Sequence, residues 1–341
     1  MNEQKPCYIL AIESSCDDTA AAVLNHQKVC SNVIANQHIH AAYGGVVPEL
    51  ASRAHQQNIV PVVDQALKKA GISKNDLSAI AYTRGPGLLG SLLVGASFAK
   101  SLSMGLNIPL LEVNHLQGHL LSHFIEDEFP QPQFPFLGVT VSGGHTQIVR
   151  VDDVFSMQEL GATLDDAIGE AFDKCGKIMG LGYPAGPVID RYAKSGNKHA
   201  FDFPRPKVAG LNMSFSGFKT AVINFLHNQQ QKHPTFIEDN REDLCASIQH
   251  TLIDIISEKI VQAVHETGIK EIALGGGVAA NSGLRQRMEQ LGEAHQWKIH
   301  LPPMAFTTDN AAMIGIVGYY KFKAQEYASL KQAATARLPI T

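Results

Sequence analysis

The 341-residue sequence lacks the marks of a secreted, membrane-spanning or strongly basic chain. Its five cysteines are scattered, odd in number and contain no CxxC pair, which favours reduced thiols in the cytoplasm over a disulfide framework. No uninterrupted apolar run approaches the length of a membrane span, and the apolar N-terminal stretch YILAI is too short for a signal peptide. The net charge of −4 does not indicate a globally basic nucleic-acid binder, although a local patch could still bind phosphates.

The composition that is present, 45% hydrophobic and 18% charged residues, is typical of a folded globular protein of about two domains. Each half of the chain opens on two apolar stretches joined by a short polar turn, at residues 7–24 and 136–151, and each continues with alternating strand-like and helix-like segments. This pattern predicts a duplicated α/β unit with a cleft between two lobes.

The two polar turns, SSCDDT at 14–19 and SGGHT at 142–146, are candidate anion sites. Exposed backbone N–H groups and hydroxyls in such turns can bind phosphates, and glycine at 143 and 144 lets the backbone approach a ligand closely. Either turn alone is more often a plain hairpin connection, but their equivalent positions in the two halves favour a shared binding role.

Two further segments are candidate ligand sites. LGGGVAANSGL at 274–284 is neither GxGxxG nor a Walker loop, but it suits a nucleobase lying on backbone, with Asn281 as a hydrogen-bonding partner. In GEAFDKCGKIMGLGYPAGPVID at 169–190, Asp173 and Asp190 could accept hydrogen bonds from ribose hydroxyls. The alternatives are a helix-entry turn for the first segment and solvated acidic side chains for the second.

Three histidines in NHLQGHLLSH at 114–123 are spaced four residues apart, so on a helix they share one face. Leu116 stands where a zinc protease of the HExxH type needs glutamate, which argues against that class. His115 and His119 could bind a metal with Asp309 as a third ligand, whereas three ligands from one helix face would be crowded, so His123 is left out. Histidine pairs at this spacing are also common without any metal.

Taken together, the motifs resemble the tRNA threonylcarbamoyladenosine transferase family, TsaD, in its bacterial form. They occur in order over residues 9 to 313: IESSCDDTAAAVL, GGVVPELASRAH, NHLQGH, VSGGHTQIV, GEAFDKCGKIMGLGYPAGP, FSGFKTA, GGGVAANSGLR and FTTDNAAM. The resemblance implies an actin-like, sugar-kinase-like α/β fold of two lobes, each built on a ribonuclease-H-like unit, with a nucleotide in the cleft. We expect residues 1–130 to form the N-terminal lobe, with a C-terminal helix at 309–330 near the lobe junction, and residues 131–308 to form the C-terminal lobe.

The resemblance also implies the site residues. The metal ligands of the family fall on His115, His119 and Asp309. Its substrate-binding positions fall on Thr140, Val141, Ser142, Gly143, Gly144, Asp173, Gly186, Asp190 and Asn281. The chain departs from many relatives at Gln117, where they have glutamate, and it lacks the tyrosine ligand that archaeal and eukaryotic relatives have near Thr140. No residue is assigned to proton transfer, and no Ser–His–Asp or Cys–His arrangement for covalent catalysis is apparent.

The implied activity is transfer of threonylcarbamoyl from L-threonylcarbamoyladenylate to the N6 amine of adenosine 37 in tRNAs reading ANN codons, with release of AMP. The implied cofactors are one divalent metal per subunit, Fe²⁺ or Zn²⁺, and an adenine nucleotide, which is threonylcarbamoyl-AMP, ATP, ADP or AMP. The implied partners are tRNA, the paralogue TsaB in a heterodimer, the ATPase TsaE and the adenylate-forming enzyme TsaC, with a homodimer as the isolated form. Local basic residues that could contact the tRNA are Arg53, Arg84, Lys174 and Lys219.

Three other functions compete with this one. A sugar-kinase-like or ATP-hydrolysing enzyme of the same fold would use magnesium and a catalytic acid, and the histidine pair argues against it. A metalloprotease is opposed by Leu116. A non-enzymatic nucleotide sensor would not need His115, His119 and Asp309 together.

Overall fold

The computed structural model describes residues 5–340, which form two compact units. Unit 1 contains the described residues of Met1–Gln131 and Thr308–Thr341, and unit 2 contains Pro132–Thr307. The strands are β1 Tyr8–Glu13, β2 Thr19–Asn25, β3 Lys28–Ala35, β4 Leu77–Gly85, β5 Leu110–Asn114, β6 Phe136–Val141, β7 Thr146–Val151, β8 Met157–Ala162, β9 Glu271–Gly275 and β10 Lys298–His300. The α-helices are α1 Pro48–Ala70, α2 Leu89–Leu106, α3 His115–Leu121, α4 Ile168–Ile178, α5 Gly186–Ala193, α6 Ser216–Lys232, α7 Phe236–Asp239, α8 Arg241–Thr267, α9 Ser282–His295 and α10 Ala311–Ala324.

Unit 1 is built on a mixed five-stranded sheet of order β3-β2-β1-β4-β5. The predicted first hairpin is confirmed, because β1 pairs antiparallel with β2 from Tyr8 opposite Asn25 to Glu13 opposite Ala20. On its other side β1 pairs parallel with β4, and β4 pairs parallel with β5. Since β1 is a central strand with α10 packed on one face of the sheet and α2 on the other, its run of apolar residues reads as continuous rather than alternating.

Unit 2 repeats this plan with a five-stranded sheet of order β8-β7-β6-β9-β10. Its predicted hairpin is also confirmed, with β6 antiparallel to β7 and parallel to β9. The long amphipathic helix expected at 243–267 is α8, which begins two residues earlier and packs its buried face into the core of the unit. The predicted α/β architecture is therefore confirmed as two mixed sheets with helices packed against them.

The C-terminal helix is shorter than the predicted 309–330. It begins after Asn310, whose side chain accepts a hydrogen bond from the N–H of Met313 at 3.0 Å, and it ends at Ala324 because Gln325 adopts a left-handed conformation with φ of 60°. Residues from 326 onward lack regular structure in the described chain. The helix predicted over HLQGHLLSHFIE likewise ends early, at Leu121.

One helix of the described residues, α2, is long and apolar enough to cross a membrane by length and composition alone. Its small residues Ser91, Gly95 and Ala99 are among those buried against unit 1, where α2 packs on α1 and β4. This packing is typical of a core helix that covers a sheet, and one such helix is weak evidence for a membrane span.

Candidate functional site

The three residues predicted as metal ligands come together in unit 1. His115 is the first residue of α3, directly after the strand β5, and Asp309 lies just before α10. Both helix starts are capped by asparagine, since Asn114 accepts a hydrogen bond from the N–H of Leu116 at 2.9 Å just as Asn310 caps α10. The caps fix the residue at which each helix begins. His115 lies in the first turn of α3, and Asp309 lies just before the first turn of α10.

The ligand atoms form a compact group. Nε2 of His119 lies 3.2 Å from Oδ1 of Asp309, and Nε2 of His115 lies 3.5 Å from the same oxygen. All three candidate donor atoms lie within 4.8 Å of one another. The histidine side chains are 7% and 0% exposed, whereas that of Asp309 is 27% exposed, so the group is reached from the aspartate side.

Close packing of α3 on α10 depends on Gly118, which lies between the turns that carry the two histidines. A Cβ at this position would lie 3.2 Å from side-chain atoms of Ile314 and Met313 and 3.3 Å from the carbonyl oxygen of Met313. A side chain at this position would therefore require its neighbours on α10 to shift by a few tenths of an ångström. The close contact between α3 and α10 explains the glycine, because its backbone φ is not in the positive range.

Glu13, at the end of β1, orients His115 from the opposite side. Its Oε2 lies 3.0 Å from Nδ1 of His115 and accepts a hydrogen bond from the hydroxyl of Thr83 at 2.6 Å, while its Oε1 accepts from the N–H of Ser15. Because Nδ1 faces a carboxylate, it carries the proton as the donor, and Nε2 is the atom left to face Asp309. This carboxylate–histidine arrangement is the one that proteins use behind metal ligands.

Electrostatics in the group follow from two carboxylates around one imidazole, with Glu13 buried and Asp309 partly exposed. Burial alone would lower the pKa of His115, but Glu13 and Asp309 raise that pKa to about 10. Burial would raise the pKa of Asp309, but the two histidines hold it well below its usual range. Burial lowers the pKa of His119. Without a cation the group therefore keeps a proton on His115, and a metal ion would replace that proton at Nε2.

The residues fit a divalent metal. Both ring nitrogens of His119 are buried and find no hydrogen-bond partner in the described part of the chain, although Nε2 lies beside the Asp309 carboxylate. An imidazole left unsatisfied in the interior is costly, and coordination through Nε2 would relieve that cost. Two imidazoles and one carboxylate are a donor set that binds divalent transition metals, with further positions left for substrate or water. His123 is buried in the short 3₁₀ turn after α3 and does not belong to this group.

In unit 2, the predicted substrate segment 140–144 lies at the carboxyl end of β6. Thr140 and Val141 are buried strand residues, while the turn that follows is closed by a hydrogen bond from the N–H of Ser142 to the carbonyl of His145 at 2.8 Å. Gly143 and Gly144 are exposed, and a Cβ on either would meet open space. Both glycines therefore lie on the exposed side of the turn, and the anion-binding role of their N–H groups stays a prediction.

The triple-glycine loop lies beside this turn, because β9 pairs with β6 and places Gly275 opposite Thr140. Gly276 has φ of 94°, and a Cβ there would lie 2.5 Å from the carbonyl oxygen of Val141. The middle glycine is thus required by the backbone itself. Any role in supporting a flat ligand would come in addition to that requirement.

The predicted substrate residues of the helices make hydrogen bonds that link α4 to α5 and α5 to α9. Oδ1 of Asp173, on α4, accepts from the N–H groups of Ala185 at 2.7 Å and Gly186 at 3.3 Å at the start of α5. Burial raises the pKa of Asp173, and these two N–H groups oppose the shift. Oδ1 of Asp190, on α5, accepts from the hydroxyl of Ser282 at 2.8 Å at the start of α9.

Asn281 is largely committed to the fold. Its Oδ1 accepts from the N–H of Leu284 at 2.9 Å as the cap of α9, and its Nδ2 donates to Oε1 of Gln249 at 2.6 Å. Because each side-chain atom already has a partner, a ligand can use only its remaining lone pair and N–H. Gln249, on α8, fixes the amide orientation and was not found from the sequence, where it stands in an unremarkable amphipathic helix.

Most of the basic residues considered for tRNA contact are neutralised within their own unit. Arg84 pairs with Glu112 at 3.2 Å, and Lys174 and Lys219 both bind Asp166, at 3.1 and 2.6 Å. Arg53 is exposed on α1 and has no ion-pair partner in the described residues. The role of Glu13 could not be predicted from the sequence. Glu13 immediately precedes a candidate anion turn, but only the packing of β5 and α3 brings His115 into contact with it.

The sequence matches a known enzyme family over most of its length. The family model described as TsaD, tRNA N6-adenosine threonylcarbamoyltransferase, matches residues 28–316. A protein of that name from Christiangramia forsetii is 61% identical, with 99% of each chain covered. Another from Riemerella anatipestifer is 57% identical, with 98% of each chain covered.

The fold has a more distant likeness among solved structures. HypF, solved in a phosphate- and nucleotide-bound form, is 12% identical with a TM-score of 0.62, and the match covers 94% of this chain and 47% of HypF. At this identity the likeness concerns the fold alone, which is the actin-like, sugar-kinase-like α/β fold expected from the motifs. With the family model and close relatives covering nearly its whole length, the chain belongs to the tRNA N6-adenosine threonylcarbamoyltransferase family and is a transferase.

Proposed function

We propose that the chain transfers the threonylcarbamoyl group of L-threonylcarbamoyladenylate to the N6 amine of adenosine 37 in tRNAs reading ANN codons and releases AMP. Family membership supports the reaction, and the observation that carries it in this chain is the group formed by the buried His115 and His119 and the partly exposed Asp309. Units 1 and 2 correspond, in this proposal, to an N-terminal lobe at 1–130 with the C-terminal helix and a C-terminal lobe at 131–308. We also propose a cytoplasmic location.

His115, His119 and Asp309 hold the metal in this proposal, with Fe²⁺ as the first candidate and Zn²⁺ as the second. Both ions accept imidazole and carboxylate ligands. When bound, the metal would supply a Lewis acid that polarises and orients the threonylcarbamoyl carbonyl. The partly exposed side of Asp309 is consistent with access for a substrate group.

The protein residues around the group supply positioning. Glu13 holds the proton on Nδ1 of His115 and keeps the ring turned so that Nε2 faces Asp309. The amine of adenosine is a weak nucleophile and the mixed anhydride is already activated, so the main demand on the enzyme is to align the two reactants. A rigid, buried ligand pair meets that demand better than exposed side chains would.

In unit 2, the N–H groups of Gly143 and Gly144 would bind the adenylate phosphate or the negative charge that develops during transfer. Thr140 and Val141 would fix the position of the turn, since they are the last residues of β6. Asp173 and Asp190 each use Oδ1 for the fold, which leaves Oδ2 to accept a hydrogen bond from a ribose hydroxyl. Gly186 would let the ribose approach the start of α5, and the Asn281 amide would contact the adenine. The same residues would accept ATP, ADP or AMP.

A protein partner is supported by the surface of unit 1. Helices α1 and α2 pack together and expose large apolar side chains. These residues are Val60, Leu89, Leu93 and Met104, with exposed fractions of 48% to 65%. We propose that TsaB covers this face in a heterodimer and that a second copy of the chain covers it in the isolated protein. TsaE and TsaC complete the pathway, as ATPase partner and as source of the adenylate.

Single-turnover transfer tests the proposal. Purified chain with its partners would be mixed with preformed threonylcarbamoyladenylate and unmodified tRNA, and the modified nucleoside and metal content would be measured together. We expect the wild type to form product and the His115→Ala/His119→Ala double variant to lose both metal and product.

The matched control is His265→Ala, which removes an exposed histidine from the last turn of α8. It should keep metal and product at wild-type levels. Full transfer by the double variant would show that the histidines are structural, and absence of product from metal-loaded wild type with its partners would overturn the proposed reaction.

A further inference from the structure

The segment Glu326–Ile340, called here the C-terminal strap, lacks regular secondary structure but is bound to unit 1 along its length. The N–H of Ala328 donates to the carbonyl of Leu110 at 2.7 Å. Nζ of Lys100 donates to the carbonyl of Gln332 at 2.6 Å. An irregular segment with these hydrogen bonds at successive points is a fixed part of the unit rather than a loose tail.

The strap next crosses the turn between β4 and α2. The N–H of Thr335 donates to the carbonyl of Arg84 at 3.0 Å, and the N–H of Gly87 donates to the carbonyl of Ala336 at 3.2 Å. The contact is so close at Gly85 that a Cβ there would lie 2.1 Å from the carbonyl oxygen of Thr335. Only glycine leaves room for the strap at this point.

The last described residues of the strap bind the first turn of α3. Nδ2 of Asn114 donates to the carbonyl of Pro339 at 2.8 Å and approaches that of Leu338 at 3.5 Å. Nε2 of Gln117 donates to the carbonyl of Ile340 at 3.2 Å. Ile340 is 3% exposed, so this end of the strap is buried against the unit.

These two side chains lie next to the candidate histidine ligands along the sequence, one before His115 and one between the two histidines. Asn114 immediately precedes His115 and uses its other side-chain atom, Oδ1, to cap α3. Gln117 lies between His115 and His119, and its amide is the donor that a carbonyl partner requires. Among the described residues, the side chains of Asn114 and Gln117 make no hydrogen bond to the ring nitrogens of the two histidines or to the Asp309 carboxylate, so any effect on a metal would act through the position of the helix.

We propose that Asn114 and Gln117 are positioning residues that bind the backbone of Leu338–Ile340 and thereby hold α3 with His115 and His119 facing Asp309. The inference rests on the metal site in the proposed function and adds the strap as its support. Outer hydrogen bonds that orient metal ligands typically change metal affinity by about 10- to 100-fold. The strap is thus a determinant of metal affinity that lies more than 200 residues away from the histidines in sequence.

Metal titration of the full chain tests the inference without use of the tRNA reaction. Metal-free protein would be titrated with Zn²⁺ against a chromophoric chelator and with Co²⁺ by its visible absorption, and thermal unfolding of the metal-free protein would be measured in parallel. We expect Gln117→Ala and Asn114→Ser to weaken affinity roughly tenfold, and deletion of residues 338–341 to weaken it by up to about 100-fold. Serine retains a capping oxygen but cannot reach the strap, so it separates the two roles of Asn114.

Gln57→Ala is the matched control, since it removes an exposed glutamine from α1 and should leave affinity unchanged. If the deletion variant fails to fold, the two point variants decide the question. A loss of thermal stability with affinity within twofold of wild type would overturn the positioning role, as would absence of metal binding by wild type. Loss of tRNA modification by protein that binds metal normally would instead count against the proposed reaction alone.

Discussion

In unit 1 the first hairpin strand ends at Glu13, whereas in unit 2 the equivalent strand, β6, ends at Val141. The two sheets have the same strand order, and the turn after each strand has the same place in the unit. In unit 1 the turn and its surroundings offer carboxylates and imidazoles. In unit 2 the turn offers the N–H groups of Gly143 and Gly144. One strand plan therefore places different chemical groups at the same position in the two units, and the residues at the strand ends decide which groups these are.

The largest effect is expected when the side-chain chemistry of unit 1 is changed at Glu13. Both carboxylate oxygens of Glu13 accept hydrogen bonds, Oε1 from the N–H of Ser15 and Oε2 from Thr83 and His115. Glu13→Gln replaces one of these oxygens with an NH₂ group, which cannot accept, so the donors on that side lose their acceptor. We expect metal affinity to fall on the order of 100-fold, measured by chelator competition. Glu49→Gln, on exposed surface at the start of α1, is the control. Unchanged affinity would mean that Glu13 does not orient His115.

The next effect concerns the backbone chemistry of unit 2. Gly276→Ala would force a Cβ against Val141 at a positive φ, so we expect the free energy of unfolding to fall by about 2 kcal/mol, measured by urea denaturation. Gly143→Ala has open space and no positive φ, and it should change stability by less than about 0.5 kcal/mol. Equal losses from the two variants would remove the distinction between structural and exposed glycines in these loops.

A smaller effect is expected at the link between α5 and α9. Asp190→Ala removes the acceptor of the Ser282 hydroxyl and N–H, and should lower the free energy of unfolding by about 1 kcal/mol. Asp190→Asn keeps an oxygen acceptor and should recover most of that loss. Thermal unfolding of both variants measures the difference, and an alanine variant as stable as wild type would show that this carboxylate has no structural role.

The smallest effect concerns Asp166, and it is read from pH dependence. Burial alone would raise the pKa of Asp166, but hydrogen bonds from Lys219 and Lys174 lower it. A folded-state pKa below the unfolded value near 3.9 gives stability that is present above that pH and lost as pH falls through the folded value. Asp166→Asn should therefore cost about 0.5 kcal/mol at pH 7 and flatten the stability profile below about pH 4. A profile parallel to wild type, followed by urea denaturation from pH 7 to 3, would contradict the shift.

The local sequence predicted secondary structure well where the pattern lies within a single helix or hairpin. The histidine spacing predicted a shared helix face, and the two polar turns predicted hairpins, because both patterns depend on short-range geometry. The metal role of His115, His119 and Asp309 and the substrate role of the unit 2 residues stay predictions. Helix ends were less accessible to sequence: α10 stops at Ala324 because Gln325 turns left-handed, and no glycine or proline announces it.

By itself the sequence determined the α/β alternation, the hairpin that opens each half and the side chains available for chemistry, since these depend on periodicity and residue type. Only the tertiary structure decided their partners. Glu13 contacts His115 because α3, which follows β5, begins beside the end of β1. Gln117 contacts Ile340 because the C-terminal strap runs back across unit 1. Contacts between residues 100 to more than 200 positions apart leave no local pattern, because the packing of whole elements, rather than any neighbouring residue, brings them together.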